Sequence, residues 1–79
     1  MQTSKENYFR EMTVAHIRDG SSPDHVEIIF LESARFYTLK KNHPEFGLIM
    51  SILSEAQLKK NAVKVYLSSL DSDIIENVK

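Results

Sequence analysis

The stretch that decides the fold is HVEIIFLE at residues 25–32, followed by RFYTLKK at residues 35–41. Both segments are rich in Val, Ile, Phe and Tyr, the residue types that favour strands, and only Ser33 and Ala34 separate them. Two strand-forming segments joined by so short a connection predict an antiparallel hairpin.

A two-residue turn at Ser33 and Ala34 would set the pairing of this hairpin. Neither residue readily adopts the positive φ that the favoured two-residue turns require, so the exact turn within residues 32–35 stays open, and so does a bulge or a one-residue slip. With the turn at 33–34, the expected cross-strand pairs are Phe30 with Tyr37, Ile28 with Leu39, and Glu27 with Lys40.

The two faces of the hairpin differ in a way that bears on function. Because side chains alternate along a strand, one face is predicted to join the core and the other to point outward. Three large apolar residues on the outward face form a patch with a charged rim, the character of an interaction surface. The expected core face carries Val26, Ile28, Phe30, Tyr37 and Leu39, and the candidate interface carries Ile29, Leu31, Phe36 and Thr38.

The rest of the chain predicts a single domain over residues 7–79, behind a flexible tail at residues 1–6. Residues 8–18 indicate a strand, although residues 7–12 also fit one helical turn. Residues 62–68 alternate as a half-buried strand does, and residues 74–78 indicate a short last strand.

An amphipathic helix is expected at about residues 44–60, beginning at the His43-Pro44 boundary. The apolar residues of this segment follow helical spacing, so one stripe of the helix is expected to pack on the sheet. The predicted class is therefore α+β in the order β-β-β-α-β-β, as a five-stranded barrel or a strongly curved antiparallel sheet. The stripe comprises Phe46, Ile49, Met50, Leu53 and Ala56, with Ile52 at its edge.

Residues 36–66, FYTLKKNHPEFGLIMSILSEAQLKKNAVKVY, resemble small bacterial OB-fold-like domains and, more distantly, the B subunits of AB-type toxins. The shared features are a strand ending in Leu39, the His43-Pro44 turn, Phe46, a helix ending near Ala56 and the strand around Val65. The resemblance implies an OB-like barrel closed by one helix. It transfers no binding residue, since these positions are core and turn positions.

Size and composition limit the functions to consider. A chain of 79 residues buries a small core, and without cysteine it has no disulfide to stabilise it, which leaves oligomerisation as a source of stability. We therefore expect a non-enzymatic module that self-associates or docks a partner protein through the candidate interface. The alternative is that the first strand, the chain end or the curvature of the sheet covers this face within the monomer.

A second function is ligand binding on an OB-like surface. Phe36 and Tyr66, with Lys40 and Lys64, are candidates for holding an oligosaccharide or nucleotide-type ligand. A net charge of −1 argues against a nucleic-acid partner, because such proteins usually carry a basic patch.

Catalysis and metal binding have little support in the sequence. His16, His25 and His43 lack the close spacing of common ligand pairs, and no serine stands in a nucleophile motif, so no enzyme, metal or cofactor is expected. His16 is instead expected to face Glu27 across the first two strands. The polar N-terminal residues and the lack of a long apolar run predict no signal peptide in the sequence as written and no membrane span, as in a cytoplasmic protein or in one whose leader has been removed.

Overall fold

The structure, a computed structural model, describes residues 8–69 and 71–79. The expected tail at residues 1–6 lies outside the described residues. The element order predicted from the sequence is confirmed, and the segment at 7–12 is part of a strand from residue 9 onward. The elements are β1 (Phe9–Asp19), β2 (His25–Phe30), β3 (Phe36–Lys40), α1 (Phe46–Lys59), β4 (Ala62–Leu67) and β5 (Ile75–Val78).

The strands form one curved antiparallel sheet in the order β3-β2-β1-β4-β5. Strand β1 is the longest, and its two halves have different partners. Residues 9–13 pair with β4, and residues 14–19 pair with β2. The sheet therefore has two parts that share β1: a β1-β4-β5 part and a β1-β2-β3 part.

A β-bulge at Ala15 separates the two halves of β1. Val14 pairs with Phe30 and His16 pairs with the adjacent Ile29, which leaves Ala15 without an opposite residue. An extra residue reverses the alternation of the strand and increases its bend. Accordingly Met12 and Val14 are buried before the bulge, whereas the even-numbered His16 is exposed after it.

Side chains compensate for the irregular backbone at the bulge. The Gln57 amide of the helix donates a hydrogen bond to the Ala15 carbonyl at 3.4 Å. The Glu32 carboxylate accepts hydrogen bonds from the Thr13 backbone N–H at 2.6 Å and from the Thr13 hydroxyl at 2.8 Å. These bonds stabilise the bend, because the backbone N–H and C=O groups that a bulge removes from strand pairing need other hydrogen-bond partners.

The β2-β3 hairpin forms as predicted but in a different register. Ile28 pairs with Tyr37 and Val26 with Leu39, so the expected pairing is wrong by two residues. The connection is the longer segment 31–35, because Ser33 and Ala34 are poorly suited to a tight two-residue turn. A shift of two preserves the alternation, so the expected core face is buried as predicted.

The two outer strands of the curved sheet meet along a short seam. Thr38 of β3 forms one parallel bridge with Ile74, and the Thr38 N–H donates to the Asp73 carbonyl at 2.7 Å. The ring of His43 extends the seam, since its Nε2–H donates to the Glu76 carbonyl of β5 at 2.7 Å. His43 Nδ1 accepts from the Glu45 N–H at 2.9 Å, which assigns the proton to Nε2.

The helix packs its predicted stripe against β1, β4 and β5. Ile49, Leu53 and Ala56 are buried, and Phe46, Met50 and Ile52 pack partly buried around them, which confirms the helix face. The helix ends at Lys59 and is capped by Lys60, whose left-handed φ of 58° lets the Asn61 N–H bond back to the Ala56 carbonyl. The remaining core residues come from the inner faces of all five strands.

Candidate binding surface

The predicted apolar patch is centred on Phe36. Ile29 and Phe36 are paired across β2 and β3, and Thr38 follows on the same outward face, opposite Glu27. Phe36 is 47% exposed, while Ile29 and Thr38 are half-buried. We call Arg18, Glu27, Ile29, Phe36 and Thr38 the Phe36 patch.

Arg18 of β1 changes the character of this patch. Its guanidinium carbon lies 4.3 Å from the centre of the Phe36 ring, and its Nε donates to Glu27 Oε1 at 2.9 Å. A guanidinium that stacks on a ring and bonds a carboxylate shields part of an aromatic surface. The patch is therefore a ring with an adjoining ion pair, rather than a uniformly apolar face.

Leu31 does not lie on a strand with the other candidate interface residues. It follows the end of β2, where its N–H donates to the Thr13 carbonyl, and its side chain is 70% exposed. It borders a hollow on the helix side that includes Gln57 and Lys60. The structure thus brings together three of the four residues, Ile29, Phe36 and Thr38.

The four candidate ligand residues lie on two strands that are not neighbours in the sheet. Phe36 and Lys40 belong to β3, whereas Tyr66 and Lys64 belong to β4. Tyr66 pairs instead with Phe9, their ring centres 5.3 Å apart. We call Phe9, Lys64, Tyr66 and Lys79 the Phe9-Tyr66 cluster.

Two ammonium groups flank this aromatic pair. The Nζ of Lys64 lies 5.5 Å from the centre of the Phe9 ring, and that of Lys79 lies 5.3 Å from the centre of the Tyr66 ring. These distances suit cation-π attraction. The cluster presents partly exposed rings with positive charge beside them, on the outward side of the β1-β4-β5 part.

Lys40 borders a cleft of about 520 Å³ at the other end of β3 from Phe36. The cleft lies where the 20–24 loop and the segment after β3 come together, joined by the Lys41 N–H bond to the Asp24 carbonyl at 2.9 Å. Its size is within the range of about 300–1,000 Å³ common for small-molecule sites. It is lined by Asp24, His25, Thr38, Lys40, Lys41 and Asn42.

The three histidines have separate structural settings. His16 faces Ile29 rather than Glu27, so the expected pairing is wrong; the bulge places Arg18 opposite Glu27 instead. His25 Nε2 is 3.7 Å from Glu27 Oε2, and His43 holds the seam. Within residues 8–69 and 71–79, no group of three or more His, Asp or Glu side chains is arranged to hold a metal ion.

A polar cluster surrounds the buried Tyr37 side chain where its hydroxyl reaches the 31–35 connection. Arg10 donates to this hydroxyl at 3.4 Å, and the Ser33 hydroxyl also lies at 3.4 Å. Burial acts to raise the pKa of Tyr37, but the hydrogen bond with Ser33 and the guanidinium groups of Arg35 and Arg10 bring this pKa below its usual value. These contacts anchor the inner side of the hairpin.

Sequence reasoning missed three residues of these surfaces: Arg18, Phe9 and Lys79. Arg18 reaches Phe36 only because the bulge turns it outward, and a bulge of this kind leaves no fixed residue signature. Phe9 and Lys79 lie at the two ends of the described chain, where they join Tyr66 through strand pairing. For Phe9 the sequence did contain a signal, because the predicted first strand begins with aromatic residues.

Comparison with protein families, with curated protein sequences and with solved structures gives no match. Inferences about the function of this chain therefore rest on its fold and on the surfaces described above. Among the described residues, no helix is both long enough and apolar enough to cross a membrane.

Proposed function

We propose that this chain is a non-enzymatic assembly module that pairs with a second copy of itself through the Phe36 patch. The observation that carries the proposal is the 47% exposure of Phe36 beside the half-buried Ile29, on the outward face of a small sheet. A cysteine-free chain of 79 residues has a small core, and burying this ring against a partner adds apolar contact.

The charges in the patch favour a second copy as the occupant. In a two-fold contact the same surface meets itself, so each residue needs a complementary neighbour within the patch. Arg18 and Glu27 stand side by side with opposite charge, and a two-fold arrangement sets Arg18 of one copy toward Glu27 of the other. The aromatic ring lies beside this ion pair, as in an apolar contact with a polar rim.

Light scattering of the wild type across a concentration series tests the proposal. The wild type is expected at twice the chain mass, and Phe36→Glu at the single-chain mass, because a carboxylate would be buried against the partner. Leu58→Glu is the matched control: Leu58 is 84% exposed on the helix, so this variant should retain the dimer. A wild type that stays monomeric at all concentrations refutes self-association and leaves the patch to a different partner protein.

A second variant keeps the test decisive if Phe36→Glu fails to fold. Arg18→Glu places like charges across the two-fold contact while leaving the buried residues in place. It is expected to be folded and monomeric. A folded Arg18→Glu variant that remains a dimer contradicts the proposed arrangement.

The Phe9-Tyr66 cluster supports a second candidate function, the binding of an oligosaccharide or nucleotide-type ligand. Partly exposed rings stack on sugars and bases, and the two lysines favour a polar or anionic ligand. Thermal unfolding in the presence of cello-oligosaccharides or oligothymidylate tests it. Stabilisation that disappears in Tyr66→Ala supports ligand binding, and no stabilisation by either probe argues against it.

A further inference from the structure

We infer that the cleft at the end of β3 is an anion site that takes a phosphate-type group. Of the residues that line this cleft only Thr38 belongs to the Phe36 patch, and the inference does not rest on self-association. Its basis is the set of residues that line the cleft: Lys40, Lys41, Thr38, Asn42 and His25, with Asp24 as the one acidic residue of the lining.

The two lysines give the cleft its positive charge. Within residues 8–69 and 71–79, neither Lys40 nor Lys41 has an ion pair with a carboxylate. Lys59, by contrast, lies 2.8 Å from Glu55 on the helix. Two ammonium groups on consecutive residues at the rim of one cleft therefore remain available to an external anion.

The single carboxylate of the cleft is already engaged. Asp24 Oδ1 accepts a hydrogen bond from the Ser22 hydroxyl at 2.8 Å, within its own loop. The Asp24 backbone carbonyl accepts from the Lys41 N–H, which holds the loop and the lysine segment together. Asp24 thus serves to build the wall of the cleft, and its charge is partly satisfied by a local donor.

The His25 side chain, which forms one wall of the cleft, is held in place by close packing. A side chain at Gly20 would overlap the His25 imidazole, so only glycine leaves room for the ring in this position. The Gly20 N–H also donates to the His25 carbonyl at 3.2 Å. A wall held in this way keeps the cleft open before a ligand arrives, which lowers the ordering cost of binding.

The residues that line the cleft determine which class of ligand it can bind. The lysine, threonine and asparagine side chains of the lining supply ammonium, hydroxyl and amide donors, which suit a tetrahedral oxyanion with several acceptor oxygens. A free phosphate and the phosphate of a nucleotide or sugar phosphate share this chemistry. We therefore assign the phosphate group, and the experiment separates the two sources.

Amide-resolved NMR titrations at constant ionic strength test the inference, with inorganic phosphate, adenosine monophosphate and adenosine as probes. We expect saturable shifts at Thr38 and residues 40–42 with both phosphate-containing probes, and none there with adenosine. Tighter binding of adenosine monophosphate than of phosphate would identify a phosphorylated ligand, and equal affinity would identify free phosphate.

A charge-matched pair of variants provides the control. Lys40→Gln combined with Lys41→Gln should weaken phosphate binding by about tenfold or more, since charge-assisted hydrogen bonds are lost. Lys59→Gln combined with Lys60→Gln removes the same charge from exposed positions at the end of the helix and should leave the affinity unchanged. The inference is overturned by an absence of saturable shifts, by equal effects of the two double variants, or by shifts spread over all lysines.

Discussion

The two aromatic surfaces of the sheet differ in how their rings are held. In the Phe9-Tyr66 cluster, two rings on neighbouring strands contact each other and lysines flank them. In the Phe36 patch, a single ring is matched with a guanidinium that is itself tied to Glu27. Phe9 is 42% exposed and Phe36 is 47% exposed, so the two surfaces differ less in ring exposure than in what the ring contacts: a second ring in the first, and an ion-paired guanidinium in the second.

The bulge at Ala15 is the origin of this difference. Before it, β1 turns odd-numbered residues outward, so Phe9 meets Tyr66. After it, β1 turns even-numbered residues outward, so Arg18 meets Phe36. One extra residue thus lets a single strand serve two differently curved parts of the sheet.

Deletion of Ala15 is the largest expected perturbation. It would leave Val14 and His16 paired in continuous register with Phe30 and Ile29, with Arg18 still outward, so what is lost is the bend that lets both parts of the sheet pack on one core. We expect a cost comparable to the total stability of such a domain, which is on the order of 5 kcal/mol. Circular dichroism should show an unfolded chain. Deletion of Ser21, which is exposed in the 20–24 loop, is the control and should leave the strands formed; a folded Ala15 deletion would show that the bulge is dispensable.

Neighbouring residues of β3 should respond very differently to truncation. Tyr37→Ala removes a fully buried ring and should lower the free energy of unfolding by about 3–5 kcal/mol. Phe36→Ala removes a half-exposed ring and should cost about 1 kcal/mol or less in the monomer. Urea unfolding at a chain concentration low enough for the monomer measures both, and equal losses would mean that the two faces do not differ in burial.

The seam between β3 and β5 should depend on the His43 ring. His43→Ala leaves the Glu76 carbonyl without this donor and should lower the free energy of unfolding by about 1–3 kcal/mol. Asn42→Ala, at the exposed neighbouring position, should change it by about 0.5 kcal/mol or less. If the two variants unfold at the same urea concentration, the histidine does not hold the seam.

The two rings of the Phe9-Tyr66 cluster should be energetically coupled. A double-mutant cycle with Phe9→Ala and Tyr66→Ala is expected to give a coupling of about 0.5–1.5 kcal/mol. The same cycle on Phe36 and Arg18 should give about 0.5–1 kcal/mol, since that pair is open to solvent. Additive effects at Phe9 and Tyr66 would contradict the claim that these two rings stabilise each other.

The smallest effect is a pH dependence at the bulge. The hydrogen bonds from the Thr13 backbone N–H and hydroxyl lower the pKa of Glu32 below its usual value. A carboxyl whose pKa is lower in the folded state stabilises the fold above its unfolded pKa, and this contribution is lost as pH falls through the folded value. NMR titration of the Glu32 carboxyl should show the lowered midpoint, and Thr13→Val should move it upward; an unchanged midpoint would exclude the hydroxyl as a cause.

The sequence was sufficient for the class, the element order, the helix stripe and the core face, because each depends on periodicity over several residues. The register of the hairpin could not be predicted from the sequence, because Ser33 and Ala34 specify no turn type. The bulge at Ala15 could not be predicted from the sequence either, and neither could the contacts of Arg18 that depend on it. The role of His43 depends on a strand that is 33 residues away in the chain, which local patterns do not report.

The most direct test of the central claim is an isotope-filtered NOE experiment on a mixture of labelled and unlabelled wild-type chains. A dimer that pairs through the Phe36 patch should give intermolecular contacts from the Phe36 ring to Ile29 and to Phe36 of the second copy. This pairing would be contradicted by a sample without intermolecular contacts, or by contacts that arise from Leu48 and Leu58 on the helix while the Phe36 ring gives none.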